Sequence, residues 1–337
     1  MILRPFRLRP ALLLASALAA GPLAAAERYA DRPDVQQFIA EMKERHGFDP
    51  DALTFIFRRA TFQPAVIKAI SPPKDPGVRS WQRYRGRFIE PVRIKAGVRF
   101  WDAYAETIKA ASDKYGVPEE IIVGIIGVET IFGRNTGSFQ TVSALSTLAF
   151  DYPRRAELFR GELESLLLMA REQGRDPLDY QGSYAGALGL PQFLPSSVRN
   201  YAVDFDGDGH IDLLASPKDA IGSVARYLQM HGWERGGPVA IRAVTNADAT
   251  LETLIANDIT PAFDAEALAA HGVRAASGTP AVAPAAFVEL VTPGADSEYW
   301  LGYQNFYVIT RYNRSSFYAM SVFQLAEAVK EARQARR

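Results

Sequence analysis

Glu129 stands where a carboxylate is least expected. Ile121, Ile122, Ile125, Ile126 and Val128 fall at helical spacing, and Glu129 lies four residues past Ile125 and three past Ile126. It therefore continues an apolar stripe. A carboxylate on such a face must be paired, or held protonated by desolvation. Its place near the helix C-terminus sets it against a dipole that disfavours negative charge. Both effects raise its pKa, as a general acid working near neutral pH requires. Position alone also fits a structural glutamate bonded to backbone amides or to Arg134.

Two further stretches could carry chemistry. Gly182-Ser183-Tyr184-Ala185-Gly186, followed by Gly189-Leu190-Pro191-Gln192-Phe193, is rich in glycine. Backbone of that kind can approach a bulky ligand closely. Ser183, Tyr184 and Gln192 would supply hydrogen bonds, and the aromatic faces suit sugar rings. The second stretch sets Asp204, Asp206 and Asp208 at alternate positions, with Gly209 sixth and the His210 carbonyl seventh. That is the order of an EF-hand calcium loop. Its twelfth position is Ala215, so the closing acid is expected at Asp219 and the loop is longer than the standard form.

These residues need elements to hold them. Apolar spacing predicts helices in 33–62, separated by Gly47 as a stop and Asp49 as a cap. A Pro-rich break covers 71–77, and another helix is expected over 97–115. Pro118 opens the Glu129 helix, which is expected to run to Phe132. Helices are also expected over 154–172, 217–231 and 315–332, with Asp151 capping the first of these. Segments 239–244 and 287–291 read as strands, and 299–312 as a strand or hairpin. The chain is thus read as mainly α, with a small β-rich insert.

Composition removes several function classes. The 337 residues carry 38 basic and 38 acidic side chains and no cysteine. A balanced chain lacks the basic surplus of a nucleic-acid binder. Without cysteine there is no disulfide, thiolate zinc site, cysteine nucleophile or lipidation site. Residues 1–26 combine three arginines, an apolar run and Ala24-Ala25-Ala26, which reads as a cleavable export signal. Its removal leaves a mildly acidic chain, expected to be soluble and periplasmic with no membrane anchor.

The wording of the motifs goes further. Val128-Glu129-Thr130 with Gly133-Arg134-Asn135-Thr136-Gly137, the 150–155 segment ending Arg154-Arg155, the 182–186 and 191–193 segments, the 201–210 loop, Asp219 to Val224, His231-Gly232-Trp233 and 305–313 occur together and in this order. Together they resemble the membrane-bound lytic murein transglycosylase B family, glycoside hydrolase family 103. The resemblance implies a lysozyme-like α+β core over 116–237, an N-terminal α-helical domain over 27–115, a small inserted β-domain over 238–305, and a C-terminal segment, 306–337, returning to the core.

It also implies an activity: cleavage of the β-1,4 bond between N-acetylmuramic acid and N-acetylglucosamine in peptidoglycan. The muramyl 6-hydroxyl attacks its own anomeric carbon, giving a 1,6-anhydro product. Glu129 matches the single acid/base. Ser183, Gln192, Arg154, Arg155, Tyr84, Tyr227, Tyr312 and Tyr318 match cleft positions. Asp204, Asp206, Asp208, His210 (through its carbonyl) and Asp219 match an elongated calcium loop, here one residue longer still, with sodium as the competing ion. No organic cofactor is implied. The expected partners are peptidoglycan strands and other cell-wall enzymes, and the expected state is a monomer. Two alternatives remain at this stage: a hydrolytic muramidase on the same fold, and a non-catalytic, calcium-stabilised peptidoglycan-binding protein.

Overall fold

The structure is a computed structural model that describes residues 28–72, 77, 79–246, 248–278 and 284–336. The export signal and parts of the 71–77 break and of the Ala/Pro-rich loop lie outside the described residues. Pro33–His46 and Pro50–Arg59 form the first helices, each opened by proline. Gly47 stops the first at φ 67°, and the Asp49 carboxylate caps the second by accepting from the Asp51 N–H.

The helix expected over 97–115 is two helices. Glu90 caps Pro91–Ala103, and Tyr104 at φ −120° breaks the chain before Ala105–Tyr115. Apolar periodicity continues across the break, so spacing alone does not reveal it. The Glu129 helix is Glu119–Thr130 and stops short of Phe132, with Pro118 as its N-cap. Its middle is buried on every side, from Ile121 to Val128. Ser316–Gln334 closes the fold and packs along it.

Six short strands occur among the described residues. Phe139–Gln140 (β1) pairs with Gln181–Gly182 (β2), bringing the Gly-rich segment beside the turn that follows Glu129. Ala240–Thr245 (β3), Val273–Ala275 (β4), Ala286–Leu290 (β5) and Glu298–Gly302 (β6) form an antiparallel sheet in the order β4-β3-β6-β5. Strand alternation divides its side chains between two cores. Ala286, Val288 and Leu290 join the main helical core. Phe287 and Leu301 face Leu254 and Leu268 of two short helices on the other side. The strand or hairpin expected over 299–312 is β6 followed by the helix Gln304–Thr310. Asn305 drives that switch: fully buried, it accepts from the Glu234 N–H and donates to the Glu234 and Gly237 carbonyls, tying the returning chain to the core. Among the described residues no helix is long and apolar enough to cross a membrane.

Candidate active site

Small residues let two helices meet at Glu129. A Cβ on Gly124 would lie 2.8 Å from the Val322 carbonyl oxygen, and one on Gly127 would lie 2.6 Å from the Phe132 ring and 2.9 Å from Leu325. The close approach delivers Tyr318, from the first turn of Ser316–Gln334, onto the acid: its hydroxyl donates to Glu129 Oε1 at 2.5 Å. Burial raises the Glu129 pKa from 4.5 to about 7, and the Tyr318 hydrogen bond opposes that rise by stabilising the carboxylate. Part of the side chain still reaches solvent, as access to a ligand demands. Arg93, buried on the neighbouring helix, donates to the Gly127 and Val128 carbonyls. It braces the last turn beneath Glu129, adding to the Ile131 N–H that the Gly127 carbonyl already accepts.

The chain then leaves the helix in strained backbone. Ile131 and Phe132 sit at φ 54° and 57°, followed by Gly133 at 87°. A β-branched residue in the left-handed region costs about 1 kcal/mol or more and persists only where its surroundings impose it. Thr130 imposes it here. Its fully buried hydroxyl accepts from the Gly133 N–H and donates to the Leu190 carbonyl, 3.0 Å in each case. The turn is thereby stapled to the Gly-rich segment. Gly137 completes the contact: a Cβ there would fall 2.1 Å from the Gly182 carbonyl oxygen.

Ser183 and Gln192 are both partly exposed on this bed. Ser183 Oγ accepts from the Ala185 and Ala187 N–H groups, which leaves its own proton to donate. Gln192, at φ 52°, donates to the Thr136 and Gly189 carbonyls, and among the described residues its carbonyl oxygen has no partner. Four tyrosines surround the acid. Tyr312 donates to the Pro191 carbonyl and stacks 6.5 Å from Tyr318. Tyr227 donates to the Arg311 carbonyl, 4.7 Å from the Tyr312 ring. Tyr84 packs on Phe317 and Phe88. Burial and the Glu129 charge push all four phenols upward, so they remain neutral donors.

Arg154 and Arg155 lie on an exposed turn, and among the described residues neither bonds to this cluster. Asp151 is not the cap expected of it. It ends the helix Thr141–Asp151 and is held by Tyr29 at 2.5 Å and Arg32 at 2.6 Å. Thr130 and Arg93 are positioning residues that the pattern did not single out. A basic residue on the buried face of the helix from Pro91 was the one available signal.

The Transglycosylase SLT domain family matches residues 30–327. Membrane-bound lytic murein transglycosylase B of Escherichia coli (strain K12) is 45% identical over 314 residues, 90% of this chain and 85% of that one. The chain belongs to this transglycosylase family. The structure of Escherichia coli lytic transglycosylase Slt35 in complex with calcium matches with a TM-score of 0.81 at 45% identity, covering 90% of this chain and 95% of that one. SltB3 from Pseudomonas aeruginosa, solved with NAG-anhNAM-pentapeptide, matches with a TM-score of 0.77 at 28% identity, covering 88% and 79%.

In this transglycosylase the acidic loop gathers three of its carboxylates. Oxygens of Asp204, Asp206 and Asp219 lie within 4.8 Å of one another. Asp219 occupies the first turn of Pro217–Met230, is 1% exposed, and accepts from the Phe205 and Asp212 N–H groups, with no cationic side chain bonded to it among the described residues. Burial and the nearby Asp206 raise its pKa. A buried carboxylate without a cationic side chain suits a metal ion. The Asp208 carboxylate accepts from the His210 N–H and is not one of the three.

Proposed function

We propose that this chain is a lytic transglycosylase acting on the β-1,4 bond between N-acetylmuramic acid and N-acetylglucosamine of peptidoglycan, with Glu129 as its single acid/base. One observation carries the reading. Glu129 is half-protonated near pH 7, and burial and a tyrosine hydroxyl alone set its pKa: no second carboxylate acts on it among the described residues. Glycosidases that use water pair two carboxyl groups across the bond. An attacking group already tethered to the substrate needs no second one.

The protonated Glu129 donates to the glycosidic oxygen as its bond to the muramyl anomeric carbon breaks. The muramyl 6-oxygen then bonds to that carbon and returns its proton to the Glu129 carboxylate. Tyr318 stabilises the carboxylate between the two transfers. The product is a 1,6-anhydro end, and no water is consumed. Ser183, Gln192, Tyr84, Tyr227, Tyr312, Arg154 and Arg155 would bind the sugars. The domain division at 115, 237 and 305 and export to the periplasm belong to the same reading. In Glu129→Gln, solubilisation of sacculi is expected to be lost while sugar binding persists. Retained solubilisation contradicts the assignment.

We further infer that Asp204, Asp206 and Asp219 hold calcium, with Asp208 and the His210 carbonyl as further ligands and sodium as the competitor. The ion would neutralise the buried Asp219 and brace the loop against the helix Pro217–Met230. It takes no part in the bond cleavage.

A further inference from the structure

A cavity opens beside Tyr84. Arg79, Ser80, Arg83, Tyr84, Arg87, Asn313, Arg314, Ser315 and Phe317 enclose about 420 Å³. Four guanidinium groups line it and no acid does, among the described residues. Arg83 sits in the short helix Trp81–Arg85, Arg79 just before it and Arg87 in the turn that follows. Their guanidinium groups have no hydrogen bond or ion pair among the described residues, and Arg314 has only an exposed contact with Asp258 at 3.5 Å. Unpaired guanidinium groups converging on one hollow form an electrostatic trap for anions.

The hollow shares Tyr84 with the group of tyrosines around Glu129. Tyr84 forms part of its wall, and that phenol feels the charges of Glu129, Arg87 and Arg79. The opposite wall, Asn313 to Ser315, is the short loop between Tyr312 and Tyr318. An anion bound here would lie beside Tyr84 and the loop joining Tyr312 to Tyr318, where a charged substituent of the sugar at Glu129 could meet it. In peptidoglycan the muramyl lactyl group carries a peptide with side-chain and terminal carboxylates, whereas the sugar ring itself is uncharged.

We propose that the cavity walled by Arg79, Arg83, Arg87 and Arg314 is a subsite for the carboxylates of the stem peptide on the muramyl residue cleaved at Glu129. This rests on the transglycosylase reading and adds that the enzyme selects peptide-bearing strands. Guanidinium groups suit carboxylates because their paired N–H donors match both oxygens.

The test compares intact peptide-bearing strands with strands stripped of peptide by an amidase, which exposes the lactyl carboxylate. For the wild-type chain, kcat/KM is expected to be about tenfold higher on peptide-bearing strands, through KM, and added salt should erode the advantage. In Arg83→Gln/Arg87→Gln the ratio between substrates should fall close to one, while Arg83→Lys/Arg87→Lys keeps part of it. Unchanged melting temperature in both variants separates this from a folding defect. Equal loss on both substrates, no loss on either, or a larger loss on stripped strands would overturn the peptide assignment. If the wild-type chain yields anhydro products from both substrates without preference, this inference fails alone. If it yields none from either, the transglycosylase reading fails with it.

Discussion

Tyr318 and Glu129 set each other's chemistry. The phenol donates to the carboxylate and so lowers a pKa that burial has raised. In Tyr318→Phe the Glu129 pKa should rise further, by several tenths to about one unit. The alkaline limb of kcat against pH would move upward, and kcat would fall because the carboxylate that must accept the 6-hydroxyl proton is less stable. A pH–rate profile that does not move contradicts the coupling. The same burial has a stability consequence. Glu129 holds its proton in the folded chain between its ordinary value of 4.5 and about 7, where the unfolded chain has lost it. Stability therefore falls as pH rises through that window. Glu129→Gln should be the more stable protein by about 2 kcal/mol at pH 8 and by much less at pH 5. Denaturation at the two pH values reads this directly. Glu129 was legible because a charge interrupts an apolar stripe. Its partner was named only through the family resemblance: Tyr318 lies 189 residues away, and no local pattern links the two.

At the scale of elements, the site depends on how closely the Glu129 helix meets the terminal helix. Gly124 faces backbone, the Val322 carbonyl, which cannot swing aside. Gly124→Ala should therefore cost about 1–3 kcal/mol and lower activity by separating Glu129 from Tyr318; a fully active, fully stable variant would contradict the packing. Thr130→Val removes the staple between the strained turn and Leu190 and should cost about 1–3 kcal/mol in thermal or chemical melts. Elements with punctuation were readable: Gly47, Asp49 and the prolines at 33 and 50 mark their ends by local chemistry. Those whose limits come from tertiary contacts were not. The break at Tyr104 has no glycine or proline, the early stop at Thr130 is enforced by Leu190, and the helix after β6 is fixed by the Asn305 clamp.

For the whole molecule, the long-range joints are the Glu129 pair, the Asn305 clamp and the acidic loop. If the loop binds calcium, chelation should lower the melting temperature and added calcium should raise it, as any ligand that prefers the folded state does. Asp219→Asn should abolish that shift, and an equal shift in the variant would count against the site. The acidic loop was legible from its alternating aspartates, although Asp208 is not among the three carboxylates gathered there. The four-arginine cavity was not, because its walls come from segments more than two hundred residues apart. The central claim is that Glu129 works without a second carboxylate, so the products decide it. Mass spectrometry of the fragments released from purified sacculi by the wild-type chain should find 1,6-anhydromuramyl ends. Reducing muramyl ends, heavier by one water, would mean hydrolysis and would contradict the account.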